Sequence, residues 1–234
     1  MNILAVGCHP DDLEIGCGGT IAKYAKTGHK VFMCVITNGN VGHKVIQPEK
    51  LAIIRRNEAE KAAKVLGAEF LSLNVDDLKV NSGDDEIVDK MIDVVRYTKP
   101  DLIITHNVDD YMRDHIEASN LVFNASFSAT ITHRKTKYEV FDSIVPIMYM
   151  DKLAGMNFIP TEYVDISDTI EQKLEALSCH ESQIVWLKEH DKIDFIDFVR
   201  TCSKYRGIQC GVAYAEGFRP CLNWSRVSPK RLLP

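Results

Sequence analysis

The first twelve residues, MNILAVGCHPDD, constrain the fold more than any other stretch of the chain. Met1 to Val6 has the apolar composition of a short buried strand, and Pro10, with no backbone N–H to give to a neighbouring strand, forbids its continuation. Gly16-Cys17-Gly18-Gly19 then lets the backbone pack closely where a helix begins. The turn between strand and helix carries one imidazole and two carboxylates, those of His9, Asp11 and Asp12. Zinc binds neutral imidazole nitrogen and carboxylate oxygen, so His9 with one aspartate supplies two ligands and leaves the other aspartate as a base for metal-activated water. Taken alone, the same run reads equally well as a turn in which Asp11 or Asp12 caps a helix.

A second cluster tilts that balance. Lys99 to His106 (KPDLIITH) reads as another buried strand, and beyond it comes DDYMRDH, residues 109–115. In a parallel sheet both clusters emerge at the carboxyl ends of strands, where open α/β folds bind their ligands. His115 is then the natural third ligand. Two histidines and one carboxylate leave a coordination position open, which is the pattern of catalytic rather than structural zinc.

The rest of the chain alternates strand-like and helix-like stretches. Val31 to Thr37 (VFMCVIT) is apolar enough for a strand buried on both faces, and the loop from Asn38 to Gly42 at its end is expected to border the same cleft. Lys50 to Leu66 has helical spacing, with Ile53, Ala59, Ala62, Ala63 and Leu66 on the apolar face and Gly67 as a stop. Phe70 to Leu73 and Ile144 to Met150 read as strands; Asp84 to Tyr97, Ile116 to Ser128 and Ile170 to Gln183 read as helices. This pattern predicts an α/β, Rossmann-like three-layer fold: a mostly parallel central sheet with helices on both faces, as a single domain over residues 1–234. With 45% hydrophobic residues, 234 residues can bury one sizeable core.

Composition removes several other functions. The sequence has no uninterrupted apolar run of about 18 residues and no basic region leading into an apolar leader, so the expectation is a cytoplasmic protein with no membrane partner. Seven cysteines without a C-x-x-C pair argue against a disulfide framework and a zinc ribbon. Cys8 is expected to be a small core residue, because adjacent side chains in a strand point to opposite faces. A net charge of −5 and no basic stripe give no footprint for nucleic acid. The glycine run also fails as a dinucleotide fingerprint, since Ile21 stands where the third glycine belongs and two carboxylates would face the phosphates. A nucleotide-binding protein is therefore the weaker reading.

The chain resembles the LmbE-like or PIG-L deacetylases, zinc-dependent enzymes acting on N-acetylglucosaminyl compounds. The likeness runs through HPDD, GGTIAKYAKTG (Gly18 to Gly28), the Arg55-Arg56-Asn57-Glu58-Ala59 stretch on to Leu66-Gly67, KPDLIITH with the following Asp114-His115, KLEALSCHESQ (Lys173 to Gln183), and YAEGF (Tyr214 to Phe218). It implies that His9, Asp12 and His115 hold one zinc per chain, with another divalent metal fitting the same ligands, and that Asp11 is the general base. It also implies that Arg55 grips substrate oxygens. The implied substrate is a small molecule, an N-acetylated amino sugar or glucosamine conjugate that loses its acetyl group, and the implied assembly is a homo-oligomer, a trimer or hexamer. One departure matters. The family usually has His-Pro-Asp-His where this chain has Met112-Arg113-Asp114-His115, and a thioether cannot donate a proton. The family often has tyrosine at the position of His180, so His180 is expected to face the zinc-bound water as replacement donor, with Asp114 as its orienting carboxylate. The competing reading is a catalytically silent metal-binding homologue. His106, close to His115, is expected to stand behind the ligands in preference to serving as a spare ligand, and Arg56, His29, His43, His133 and His190 are expected on the surface.

Overall fold

Seven strands form one sheet in the order β3-β2-β1-β4-β5-β7-β6. The computed structural model describes residues 1–234, apart from the side chain of Asp191. The strands are β1 (Asn2–Gly7), β2 (Lys30–Thr37), β3 (Glu69–Val75), β4 (Leu102–Thr105), β5 (Ile147–Met150), β6 (Glu162–Asp165) and β7 (Ala215–Pro220). The helices are α1 (Asp12–Lys26), α2 (Pro48–Leu66), α3 (Asp85–Thr98), α4 (Arg113–Ser128), α5 (Ile170–Ser178), α6 (Glu181–Trp186) and α7 (Phe195–Cys210). Pairings among β1 to β5 are parallel, and β7 runs antiparallel to both β5 and β6. No helix among the described residues is long and apolar enough to cross a membrane.

Each buried strand feeds two cores by simple alternation. Ile3 and Ala5 of β1, Val31 and Met33 of β2, and Leu102 and Ile104 of β4 enter the core beneath α1, α2, α5 and α7. Leu4 and Val6, Phe32 and Cys34, and Ile103 point the other way, into the core beneath α3 and α4. This is the period of two that a pleated strand imposes, with both faces apolar because both are covered. Cys8 joins the second core, fully buried.

From β1 the chain winds outward through β2 and β3, then returns to place β4 on the other side of β1. That reversal opens a crevice at the carboxyl ends of β1 and β4, where open α/β sheets bind ligands. The register sets Val6 opposite Thr105, so the residues that follow each strand, His9 and His106, emerge side by side.

The structure revises three details of the sequence reading. Ile53 is 64% exposed, because the buried face of α2 runs through Leu51, Arg55, Glu58, Ala59, Ala62 and Leu66 instead. Two polar residues sit on that face because Arg55 borders the crevice and Glu58 meets Ser182. The helix expected over Ile170 to Gln183 is broken after Ser178, and a new helix starts with His180 as its N-cap residue. Glu58 of α2 causes the restart by accepting the Ser182 N–H at 2.8 Å and the Ser182 hydroxyl at 2.7 Å, which satisfies the first turn of α6 from outside. The KPDLIITH strand is shorter than expected, covering only Leu102–Thr105.

α1 is also broken, at Cys17 (φ −149°). The carboxylate of Glu216 on β7 accepts the freed N–H groups of Gly19 (2.9 Å) and Thr20 (2.8 Å) together with the Thr20 hydroxyl (2.6 Å). Lys173 of α5 closes the arrangement, donating to Glu216 at 2.6 Å and to the Ile15 carbonyl at 2.8 Å. Both side chains are 2% exposed. Removing one partner of such a pair strands a buried charge and typically costs about 3–5 kcal/mol. The clamp fixes where the short turn Asp12–Gly16 points.

Candidate active site

Asp11 occupies a left-handed backbone conformation (φ 106°), which a non-glycine residue adopts only when its surroundings force it. Arg55 supplies the force: its Nη2 donates to the Pro10 carbonyl at 2.9 Å and to Asp11 Oδ2 at 3.2 Å. Gly39 and Gly42 of the loop after β2 make room for that guanidinium, since a Cβ on either would lie within 2.7 Å of the Arg55 side chain. The loop therefore borders the crevice as its sequence implied.

Asp12 faces the other way. Its Oδ2 accepts the His9 N–H at 2.6 Å and lies 3.1 Å from His106 Nε2, which in turn accepts the Cys8 N–H at 2.9 Å. Asp12 Oδ1 is left 3.4 Å from His115 Nε2, and His9 Nδ1 lies 3.3 Å from that same nitrogen. Three donors thus converge on one point. For a tetrahedral ion with bonds of about 2.0–2.1 Å, neighbouring ligand atoms stand about 3.3–3.4 Å apart, so the observed spacings fit a zinc-sized cation.

The rear atoms of these ligands are tied as well. Asp110 Oδ1 accepts from His115 Nδ1 at 3.0 Å, leaving Nε2 to face the centre, and Asp114 Oδ2 lies 3.4 Å from His9 Nε2, leaving Nδ1 to do the same. Asp114 also accepts the Leu78 N–H at 2.8 Å. The expected pairing of Asp114 with His180 is thereby corrected: its imidazole partner is His9. His106 is buried against Asp12 and stacks on the His115 ring at 4.0 Å. Cys8 is a poor ligand, because burial pushes its thiol up to about 12 against the pull of His9.

His180 is fully buried and is absent from the cavity wall. Its Nε2 lies 3.2 Å from Glu14 Oε1, but neither ring nitrogen makes a well-aligned hydrogen bond. Burial opposes its protonation, and the charges of Glu14 and then Asp11 overcome that and raise its pKa. Buried outside the cavity lining, it does not face the cavity, which corrects the expectation from its sequence position. Met112 is the N-cap residue of α4 and lines the cavity.

The two adjacent aspartates titrate in opposite directions. Burial raises Asp11 to about 6, with the Arg55 guanidinium restraining the rise. Burial would raise Asp12 too, but the imidazoles of His115 and His106 hold it well below the ordinary carboxylate range. For His115, burial is outweighed by Asp12 and Asp110, and its pKa rises to about 9. A cavity of ≈420 Å³ lies over these groups, with Asp11, Asp12, His9, His115 and Arg55 all in its lining. Arg55 Nη1 makes no hydrogen bond among the described residues and packs against Gly39 and Gly42.

Sequence reasoning missed Asp110, Glu14, Glu58 and the Lys173–Glu216 clamp. Asp110 had a signal, since a carboxylate five residues before a ligating histidine in a tight turn can reach its rear nitrogen. Glu58, Lys173 and Glu216 lie inside quoted motifs but act across distances that no local pattern encodes.

A two-histidine, one-carboxylate centre with an unused carboxylate beside it, at the switch point of a parallel sheet, is the arrangement of a metal-dependent hydrolase. Residues 4–126 match the family PIG-L, GlcNAc-PI de-N-acetylase, and the chain belongs to that family. The diacetylchitobiose deacetylase of Thermococcus kodakarensis is 29% identical over 232 residues, covering 93% of this chain and 82% of that protein. The structure of N,N'-diacetylchitobiose deacetylase from Pyrococcus horikoshii in complex with its inhibitor MPG superimposes with a TM-score of 0.80 at 27% identity, over 94% of this chain and 83% of that one. The 4-carboxy-2-hydroxymuconate hydratase of Pseudomonas putida KT2440 has the same fold, with a TM-score of 0.82 at 23% identity over 99% of this chain and all of that one.

Proposed function

We propose that this chain removes the acetyl group from an N-acetylated amino sugar, with zinc held by His9, Asp12 and His115 and with Asp11 as the general base. The convergence of the three ligand atoms in one cavity with Asp11, a second carboxylate outside that set, carries the reading. A bound divalent cation supplies Lewis acidity, polarising an amide carbonyl and acidifying a water. Asp11, raised to about 6, is ionised at neutral pH yet basic enough to accept that water's proton. Once protonated, the same carboxyl can return the proton to the departing amine. Arg55 holds Asp11 in its strained turn with Nη2 and, lining the cavity, supplies a fixed cation to a substrate oxygen. The buried His180 favours the ionised base through its charge.

The test is acetate release from N-acetylglucosamine, diacetylchitobiose and related conjugates by protein reconstituted with zinc. Turnover that requires one zinc per chain is expected. Absence of acetate from every N-acetylated sugar in zinc-loaded protein would refute the reading.

A further inference from the structure

The floor of the cavity is ionic, but much of its wall is not. Above Asp11, Asp12 and the histidines stand Leu78, Tyr111, Met112, Ile193 and Phe198. Leu78 is 76% exposed, Tyr111 61% and Ile193 41%, so these apolar side chains form the solvent-facing mouth of the cavity. Single exposed hydrophobic residues are ordinary on any protein surface, whereas several gathered around one opening form a patch.

Leu78 adds a second observation. It sits in a turn closed by the Lys79 N–H donating to the Asp76 carbonyl at 3.2 Å, with φ 64°. That position suits glycine or asparagine, and a leucine there accepts backbone strain while leaving its side chain in water. Asp114 grips the Leu78 N–H and so couples this turn to the ligand His9. A large apolar side chain held in a disfavoured backbone at the entrance to a reactive site points to something it meets there.

Resting on the deacetylase reading above, we infer that the mouth formed by Leu78, Tyr111 and Ile193 binds an apolar group on the amine side of the substrate, so that the substrate is an amino sugar with a hydrophobic aglycone. An acetyl group ends one carbon beyond the carbonyl that reacts at the floor. Only the far end of the amine portion extends to the rim, and apolar rim side chains reward an apolar substituent.

Calorimetric titration of zinc-loaded protein with methyl and benzyl 2-amino-2-deoxy-β-glucopyranosides tests this, because the free amines bind without turning over. The benzyl glycoside is expected to bind at least about tenfold more tightly. Leu78→Gly should abolish most of that preference; because glycine suits φ 64°, the variant is expected to fold at least as stably, and thermal melting checks this. Equal affinity for the two glycosides, or an unchanged preference in folded Leu78→Gly, overturns the inference. A stronger preference for N-hexanoylglucosamine over N-acetylglucosamine, measured with Asp11→Asn protein, reassigns the mouth to the acyl side and equally overturns it. Acetate release from both N-acetyl glycosides with no benzyl preference leaves the deacetylase reading standing. A benzyl preference without any acetate release removes that reading instead.

Discussion

The two sides of the crevice are made by neighbouring residues and are held in opposite ways. On the side that ligates, every group has its rear atom occupied: Asp12 Oδ2 by the His9 N–H, His115 Nδ1 by Asp110, His9 Nε2 by Asp114. On the side we propose to move protons, Asp11 is in a strained turn, Arg55 Nε has no partner, and both ring nitrogens of His180 lack an aligned one. A metal site needs its donors fixed before the ion arrives, so saturation serves it. A general base needs a pKa near the working pH, and a carboxylate with three donors would be held too low to accept a proton. Placing the two aspartates in sequence, one facing each environment, separates their pKa values in opposite directions.

The sharpest way to break this contrast is to mutate the aspartates separately. Asp12→Ala is expected to lose the metal altogether, read by metal analysis of the purified protein. Asp11→Asn should keep close to one metal per chain while kcat falls by about a thousandfold. The reverse pattern would show that ligand and base have been exchanged. Next in size is Arg55→Gln. The guanidinium favours the ionised form of Asp11, so its removal raises the Asp11 pKa further above about 6 and moves the acid limb of the kcat profile to higher pH. At pH 6.5 a loss of about tenfold is expected, shrinking toward pH 8.5. Wild-type protein should show that limb centred near 6.

His180→Ala should move the limb in the same direction by less, with kcat at neutral pH down about threefold, because His180 acts on Asp11 through charge alone. A drop of about a hundredfold or more at every pH would instead make His180 a direct donor to the oxyanion. The smallest effect is expected from Met112→His, under about threefold in kcat, since the carboxylate that would orient a new imidazole, Asp114, is already engaged by His9 and the Leu78 N–H.

The parallel part of the fold was legible because its signals are local. VFMCVIT is apolar on both faces, Pro10 stops β1, Gly67 ends α2, and the two ionic clusters follow strands that turn out to be neighbours. What stayed hidden depends on partners distant in sequence. Nothing between residues 170 and 183 announces that Glu58 will start a second helix there, and Ile53 fits a helical stripe until the crevice claims Arg55, and Ser182 claims Glu58, for the buried face. That His9, Asp12 and His115 would meet was readable from residue type and position, whereas the distinction between His9 and His180 as the partner of Asp114 required the actual path of the turn before α4.

The clamp at the break in α1 also bears on the order in which the molecule can be assembled. The turn holding Asp11 and Asp12 depends on a group far along the chain, since the carboxylate that steadies the helix behind it belongs to Glu216, 197 positions after Gly19. So long a loop must close before that contact can form, and contacts of such separation are slow to establish. A nascent chain can pair β1 with β2 and β4 early, but it holds the turn carrying Asp11 and Asp12 in final geometry only after β7 has been made and inserted beside β5. Newly made protein lacking its last strand is therefore expected to resemble the finished fold over most of the sheet while binding a metal ion poorly.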